Sequence, residues 1–351
     1  MTGTVFLDKI RRGEYKQETF WEGDSVSGYR WRLIMTADWK EVLLAYLHDP
    51  SDKALRLSYH VVRAWWNAEI ALGRPLDKLV LKKTVAESDR LASMIERFPM
   101  PKARGRERTV WPQDGRLQII HPLSGLPKDL IDLPKLDKAL IQKEQDKLGA
   151  IVKELSETHK RFLAIWRLWP DALKNVNSCF ARLPADTRIP DHTIWNHLDM
   201  TAALKVAKTG GQEAGLLLFS LGPVQPFIEA SRSVRDLWTG SMILSWLAFC
   251  AMKPVLEQFG PTAIIYPSLR GNPLVDLWLR ERENLGERVL FPDAAHRLTP
   301  SLPVRFLALV PWGKDGDLAK ALAEDCQLGF TTAWKELAVG VKASVQSNLN
   351  G

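Results

Sequence analysis

Cysteine is scarce in this chain. Cys179, Cys250 and Cys326 are the only three in 351 residues, and none has a partner at a spacing that would gather four thiolates on zinc or start a disulfide framework. They read as small buried hydrophobes of a reduced compartment, so the expected location is the cytoplasm. No uninterrupted apolar stretch approaches the roughly 18 residues that a membrane span needs, and no membrane partner is expected. The opening MTGTVFLDKIRRGEYKQ is too charged for a signal peptide. Internal repeats and low-complexity tracts are also missing, which excludes solenoids and linker-like chains. What remains is 46% apolar and 25% charged, an ordinary globular composition with room for two or three domains.

The formal net charge of +7 is unevenly placed. Residues 1–210 hold 35 basic and 27 acidic side chains, against 13 and 14 in residues 211–351, so the first part is the better polyanion binder. Within it Lys102, Arg104, Arg106 and Arg108 run up to Trp111. That mix suits nucleic-acid phosphates beside an aromatic base platform, and equally a solvated cationic loop.

Apolar spacing over 38–72 predicts two helices parted by a turn at Pro50, with His48 and Asp49 where the first one ends. A further amphipathic helix is expected at 84–98. The Pro-, Gly- and Arg-rich stretch 99–135 reads as an irregular insertion with one short strand at 117–120. From 134 to 175 a stripe including Leu140, Leu148, Ile151, Phe162 and Trp166 predicts long helical core. A helix at 193–208 follows, capped by Asp191 or Thr193. Trp65, Trp66, Trp166, Trp169, Trp238 and Trp246 all fall on apolar helical faces and read as core.

The character changes after Gly210-Gly211. GLLLFSL, closed by Gly222-Pro223, reads as a strand buried on both faces. Helices are expected at 224–236, 240–257 and 317–347, and strands at TAIIYPSL and VRFLALVP. Strand, helix, strand, strand, helix is a ferredoxin-like βαββαβ unit short of its last strand.

The residues with chemistry lie mostly in the first part. An adjacent His48-Asp49 pair at a helix end can aim an imidazole nitrogen and a carboxylate at one ion, but a capped helix end would look the same. HDPSDKAL adds Asp52 and Lys53, and DTRIPDHTIWNHLDMTAAL adds Asp186, Asp191, His192 and His197. A divalent site needs three to six such ligands drawn from different helices.

LLAYLHDPSDKAL resembles the HD motif of the Cas10/Cmr2 family, the large subunits of type III CRISPR effector complexes, and IWNHLDMTAAL resembles the helix with that domain's separate histidine. The order, His48-Asp49 before His197, is that of the family's circularly permuted HD fold. LLLFSLGPVQPFIEASRSVRDLWTGSMILSWL is similar to the opening of its first Palm domain, and IIYPSLRGNPLVD and LPVRFLALVP to the next two strands. GPVQPFI and HDPSDKAL lean towards the type III-B branch. The resemblance reaches from about 41 to 335 and is thin over 70–135.

The resemblance implies an α+β protein: a mainly helical, permuted HD domain at 1–210, then an incomplete ferredoxin-like (RRM/Palm-type) domain at 211–351. It implies His48, Asp49 and His197 as ligands of divalent ions (Mn, Mg, Ni or Co), with Asp186, Asp191, His192 and His60 as further candidates. Lys53 would neutralise charge on the phosphorane as single-stranded DNA is cut. Gly222, Gln225, Gly240 and Ser241 would form one wall of a nucleotide pocket, although glycines there also serve tight turns. The implied partners are RAMP-type subunits, the small subunit, crRNA and target RNA. There is no GGDD turn and no cysteine-ligated zinc element, so ATP use and cyclic oligoadenylate synthesis are not expected without a second Palm half, carried on a longer or separately encoded product. Two other readings stay open: a catalytically silent scaffold of the same complex, and a stand-alone HD phosphohydrolase, which would have no use for the Palm-like part.

Overall fold

A computed structural model describes residues 36–56, 58–95, 117–121, 123–124, 126–130, 133–185, 192–290 and 293–349. Asp186, Asp191, the basic run Lys102–Arg108 and Trp111 lie outside them. The chain divides into two units. Of the described residues, one unit holds 37–214 together with 279–289, and the other holds 215–278 and 290–349.

The first unit is helical: α1 (Trp39–Tyr46), α2 (His60–Leu72), α3 (Lys78–Ile95), α4 (Lys138–Val152), α5 (Thr158–Lys174) and α6 (Ile194–Ala207). A hairpin of β1 (Leu117–Ile120) and β2 (Pro127–Leu130) precedes α4, pairing Leu117 with Leu130. Asp38 starts α1 by accepting hydrogen bonds from the backbone N–H groups of Lys40 and Glu41, both at 3.1 Å, which satisfies amides the first turn leaves free. Val42 to Tyr46 are then all buried, because α3, α5 and α6 pack around this helix. Each large apolar side chain so buried contributes roughly 1.5–3 kcal/mol. Phe162, Leu163, Ile165, Trp166 and Trp169 of α5 complete that core.

The long helical stripe is interrupted. Glu154 takes a left-handed backbone (φ 66°) between α4 and α5, and the two segments fold back to pack on each other. α3 begins six residues before the expected start. Trp66 departs from the core reading, being 40% exposed, because the buried face of α2 is the one carrying Arg63, Asn67 and Ala71.

The second unit contains β3 (Ala214–Ser220), α7 (Val224–Glu229), α8 (Val234–Phe259), β4 (Ile264–Tyr266), α9 (Pro273–Glu281, whose last three residues belong to the helical unit), α10 (Ala294–Arg297), β5 (Arg305–Pro311) and α11 (Asp317–Leu349). The strands order β3-β5-β4, with β4 and β5 antiparallel. Phe219 and Phe306 stack across β3 and β5 with centroids 5.2 Å apart. The expectation that β3 is buried on both faces is corrected: Leu217 is buried, but Leu216 and Leu218 are 62% and 63% exposed, the alternation of a sheet covered on one side. Gly215 is required where Trp312 crosses, since a Cβ there would lie 2.7 Å from the indole.

α8 also corrects the sequence reading on length. It is long and apolar enough by composition to span a membrane, yet 67% of its most apolar window is buried inside the protein, and α11 packs along it. It is a core helix. Mostly helical, with one small three-stranded sheet and one hairpin among the described residues, the chain is α+β.

Candidate metal centre

α1 ends at Leu47, whose N–H bonds back to Leu43 and Leu44, and the chain turns immediately into His48-Asp49. His48 Nδ1 lies 2.7 Å from the carbonyl of Ala45. A carbonyl only accepts, so Nδ1 carries the proton donated there, and Nε2 is the nitrogen presented to the interior. His197 arrives from α6. The start of that helix is set by a capping box: Thr193 Oγ1 accepts from Asn196 N–H and Asn196 Oδ1 accepts from Thr193 N–H. The Ile194 N–H to Leu183 bond (2.9 Å) and the Trp195 Nε1 to Phe180 carbonyl bond (2.8 Å) seat the first turn.

Because α1 and α6 pack together, the two imidazoles meet across 149 positions of sequence with Nε2 to Nε2 at 3.2 Å. Asp49 Oδ2 is 3.4 Å from His48 Nε2 and 3.7 Å from His197 Nε2. Among the described residues these three form a group whose ligand atoms all lie within 4.8 Å of one another. A fourth group, the carboxylate of Asp89 from α3, closes the cluster: its Oδ1 is 3.5 Å from His48 Nε2 and 3.3 Å from His197 Nε2.

This donor set fits a divalent cation. Two nitrogens 3.2 Å apart subtend about 100° at an ion roughly 2.1 Å from each, a plausible angle for tetrahedral or octahedral coordination. His48, Asp49 and His197 are buried, whereas the Asp89 side chain is 42% exposed, so the cluster has a dry floor and opens on the α3 side. Burial alone would push the Asp49 carboxyl up, but His48, Lys53 and His197 together hold it below its ordinary value. Asp89 is likewise held well below the carboxylate range: burial opposes this, and the adjoining His197 and His48 imidazoles outweigh it.

Lys53 contacts Asp49 Oδ2. Behind the HD turn lies a second, fully buried polar group. Both oxygens of Asp52 are 3.0 Å from Arg63 Nε, and Ser51 Oγ donates to Glu144 Oε1 at 3.2 Å. Burial and the neighbouring Asp52 charge raise the Glu144 carboxyl well above its ordinary value, and burial raises Asp52 against the pull of Arg63.

The other sequence candidates fall in different places. His192 lies next to α6, its ring 6.5 Å from that of His197. His60 opens α2, half-buried, where its charge acts on Asp52. In the second unit, Gly222 precedes a cis bond to Pro223, Gln225 Nε2 donates to Glu229 (2.9 Å) and Ser241 Oγ to the Leu237 carbonyl (2.9 Å). Gly240 is buried against Phe227 and Ile228. Sequence reasoning missed Asp89, Arg63 and Glu144. Asp89 had a signal: Val85, Ser88 and Ala92 mark the buried stripe of α3, and Asp89 stands beside it.

Comparison with known proteins follows this geometry. Residues 216–339 match the sequence profile of the family described as CRISPR-associated protein Cmr2, N-terminal. The CRISPR system Cmr subunit Cmr2 of Pyrococcus furiosus is 32% identical over 330 residues, 79% of this chain and 35% of that one. The corresponding subunit of Saccharolobus solfataricus is 28% identical over 274 residues, 71% and 26% respectively. The chain thus spans about a third of the first relative's length and a quarter of the second's. Two cryo-EM structures of type III-B Cmr-beta are similar in fold at 22% identity. The apo state gives a TM-score of 0.58 over 82% of this chain and 32% of that one; the state bound to cognate target RNA gives 0.62 over 88% and 33%.

Proposed function

We propose that this chain, which belongs to the Cmr2 family of type III-B CRISPR systems, carries a divalent-metal centre that cuts single-stranded DNA within the effector complex. The observation that supports this most is the meeting of His48 and His197 at 3.2 Å from opposite ends of the helical unit, with Asp49 and Asp89 beside them. Buried imidazoles facing carboxylates contribute less to stability than apolar packing would, and such groups gather where a cation or a reacting phosphate is handled.

His48, Asp49 and His197 would hold the ion, with Asp89 closing the shell from the solvent side. When bound, a divalent ion supplies Lewis-acid charge at a phosphoryl oxygen and lowers the pKa of water. The chain's own residues do the rest. The Ala45 carbonyl fixes the His48 tautomer. The dry floor excludes bulk water, and Lys53, on the partly open side of Asp49, neutralises charge on the phosphorane. His60 and His192 extend the histidine set as further candidates, as do Asp186 and Asp191.

The assembly reading follows the family. The partners proposed are RAMP-type subunits, the small subunit, crRNA and target RNA, in the cytoplasm. The permuted HD domain would end near residue 210 and the first Palm domain would follow; the strand order β3-β5-β4, first-third-second, suits a ferredoxin-like unit. Gly222, Gln225, Gly240 and Ser241 would line one wall of a nucleotide site completed elsewhere.

Manganese-dependent nicking of single-stranded DNA, lost in a His48→Ala, Asp49→Ala double variant, is the expected result; unchanged nicking in that variant would refute the assignment. One observation favours the scaffold reading. The Lys53 ammonium already neutralises Asp49, as in a site that has given up its metal. Failure to bind Mn²⁺ at millimolar concentration would decide for it.

A further inference from the structure

The loop that joins the metal cluster to α2 is anchored from beneath. Arg63, buried in α2, uses all three guanidinium nitrogens on it: Nε to Asp52 Oδ1 at 3.0 Å, Nη1 to the Ser58 carbonyl at 2.9 Å and Nη2 to the Arg56 carbonyl at 2.8 Å. A buried guanidinium is costly unless its donors are met, so this loop is a built element. It ends on Tyr59, whose backbone is left-handed (φ 64°, ψ 12°). Among the described residues the left-handed non-glycines are Tyr59, Glu154, Asn284 and Asp315, and only Tyr59 is aromatic, a side chain for which that region is a genuine outlier.

The Tyr59 ring is 70% exposed, so burial does not compensate the unfavourable backbone. Strain of this kind persists where function needs the side chain presented. The Arg56 guanidinium sits over the ring, 5.8 Å from its centroid, held by Nε donating to Ser58 Oγ at 2.7 Å. At the other end of the same loop, Lys53 touches Asp49 of the cluster.

We propose that Arg56 and Tyr59, between Lys53 and α2, form a strand platform for single-stranded DNA, on which Tyr59 stacks a base and Arg56 meets the adjoining phosphate. This rests on the reading of the His48, Asp49, His197 cluster as a phosphodiester-cutting centre. An exposed ring with a guanidinium over it suits any unpaired base, since every base has a π face and stacking is tolerant of sequence. A duplex hides those faces. The platform therefore selects single strands and passes them along Lys53 to the cluster.

The test measures binding of a labelled dT oligonucleotide to the full chain in EDTA, by fluorescence anisotropy over a salt series. Tyr59→Gly is the informative variant, because glycine adopts φ 64° freely and the loop keeps its course while the ring is lost. It should bind at least tenfold more weakly, whereas Tyr59→Phe should match the parent. Arg56→Ala should weaken binding and reduce the salt slope by about one phosphate contact. Affinities within twofold of the parent for both Tyr59→Gly and Arg56→Ala would overturn the platform, as would equal binding of duplex, or losses confined to an RNA oligonucleotide. Binding is read without metal, so a chain that binds as predicted but never cuts would remove the nuclease reading alone. Cleavage at parental KM in both variants would remove the platform alone.

Discussion

Glu144 offers the sharpest test of how the HD turn is supported. Ser51, Asp52, Arg63 and Glu144 are all buried, and this group holds two carboxyls for one guanidinium. Were both carboxyls ionised, an uncompensated negative charge would sit in the helical core. Burial, with the Asp52 charge second, raises the folded Glu144 pKa well above its unfolded value of 4.5, so the native state binds more protons than the unfolded state between those two values. The contribution of Glu144 to stability is therefore full below pH 4.5 and is lost as pH rises through the folded pKa, at up to about 1.4 kcal/mol per pH unit. Glu144→Gln mimics the protonated acid and keeps an oxygen to accept from Ser51. It should flatten that loss above pH 4.5, by as much as about 1.4 kcal/mol per unit. Arg63→Met strands both carboxyls and three loop contacts and should cost about 3–5 kcal/mol. Urea unfolding followed by tryptophan fluorescence, parent against variant at each pH, reads both. Parallel pH curves for parent and Glu144→Gln would refute the extra native proton.

Three further outcomes are expected. Mn²⁺ at a hundred times its dissociation constant should stabilise the folded chain by about 2.7 kcal/mol, seen as a rise in melting temperature that His197→Ala abolishes. Asp89→Asn, on a partly exposed side chain, should leave the melting temperature of the metal-free protein within a few degrees and weaken Mn²⁺ binding by about 10–100-fold, the scale seen when groups around metal ligands are lost; calorimetric titration checks this. Gly215→Ala should destabilise the second unit by about 1–3 kcal/mol, because the new Cβ meets Trp312 at 2.7 Å; limited proteolysis of β3 would report it.

Much of the architecture was legible because it is written in short-range patterns. The helix carrying His197 was expected to be capped by Asp191 or Thr193, and Thr193 caps it, in a capping box with Asn196. The two helices either side of Pro50 follow from spacing alone. β3 was read as doubly buried because the unbroken apolar run Leu216–Phe219 carries no alternation. Which face of such a run is covered depends on helices distant in the chain, and Leu216 and Leu218 are exposed for that reason. Trp66 failed similarly: α2 buries its Arg63 and Asn67 side, which composition would assign to solvent.

The site divides along the same line. His48 and Asp49 are adjacent, so their pairing is local chemistry, but nothing in the spacing brings His197 to them; only the family resemblance did, and packing of α1 on α6 supplies the physical reason. The residues that were missed share one property, a charge at or beside an inward position of an amphipathic helix. Glu144 interrupts Leu140, Leu148 and Ile151 in α4, Asp89 adjoins Ser88 in α3, and Arg63 precedes Ala64 in α2. A buried charge is tolerated only beside a compensating partner, so each break in a helical stripe implies another charged or polar group facing it. Asp89 implies the two imidazoles, Glu144 implies Ser51, and Arg63 implies Asp52. Taken together those three breaks converge on one stretch of chain, His48 to Asp52, and its partner His197. That convergence supports a cation-handling centre over a capped helix end, since a cap alone would require none of them.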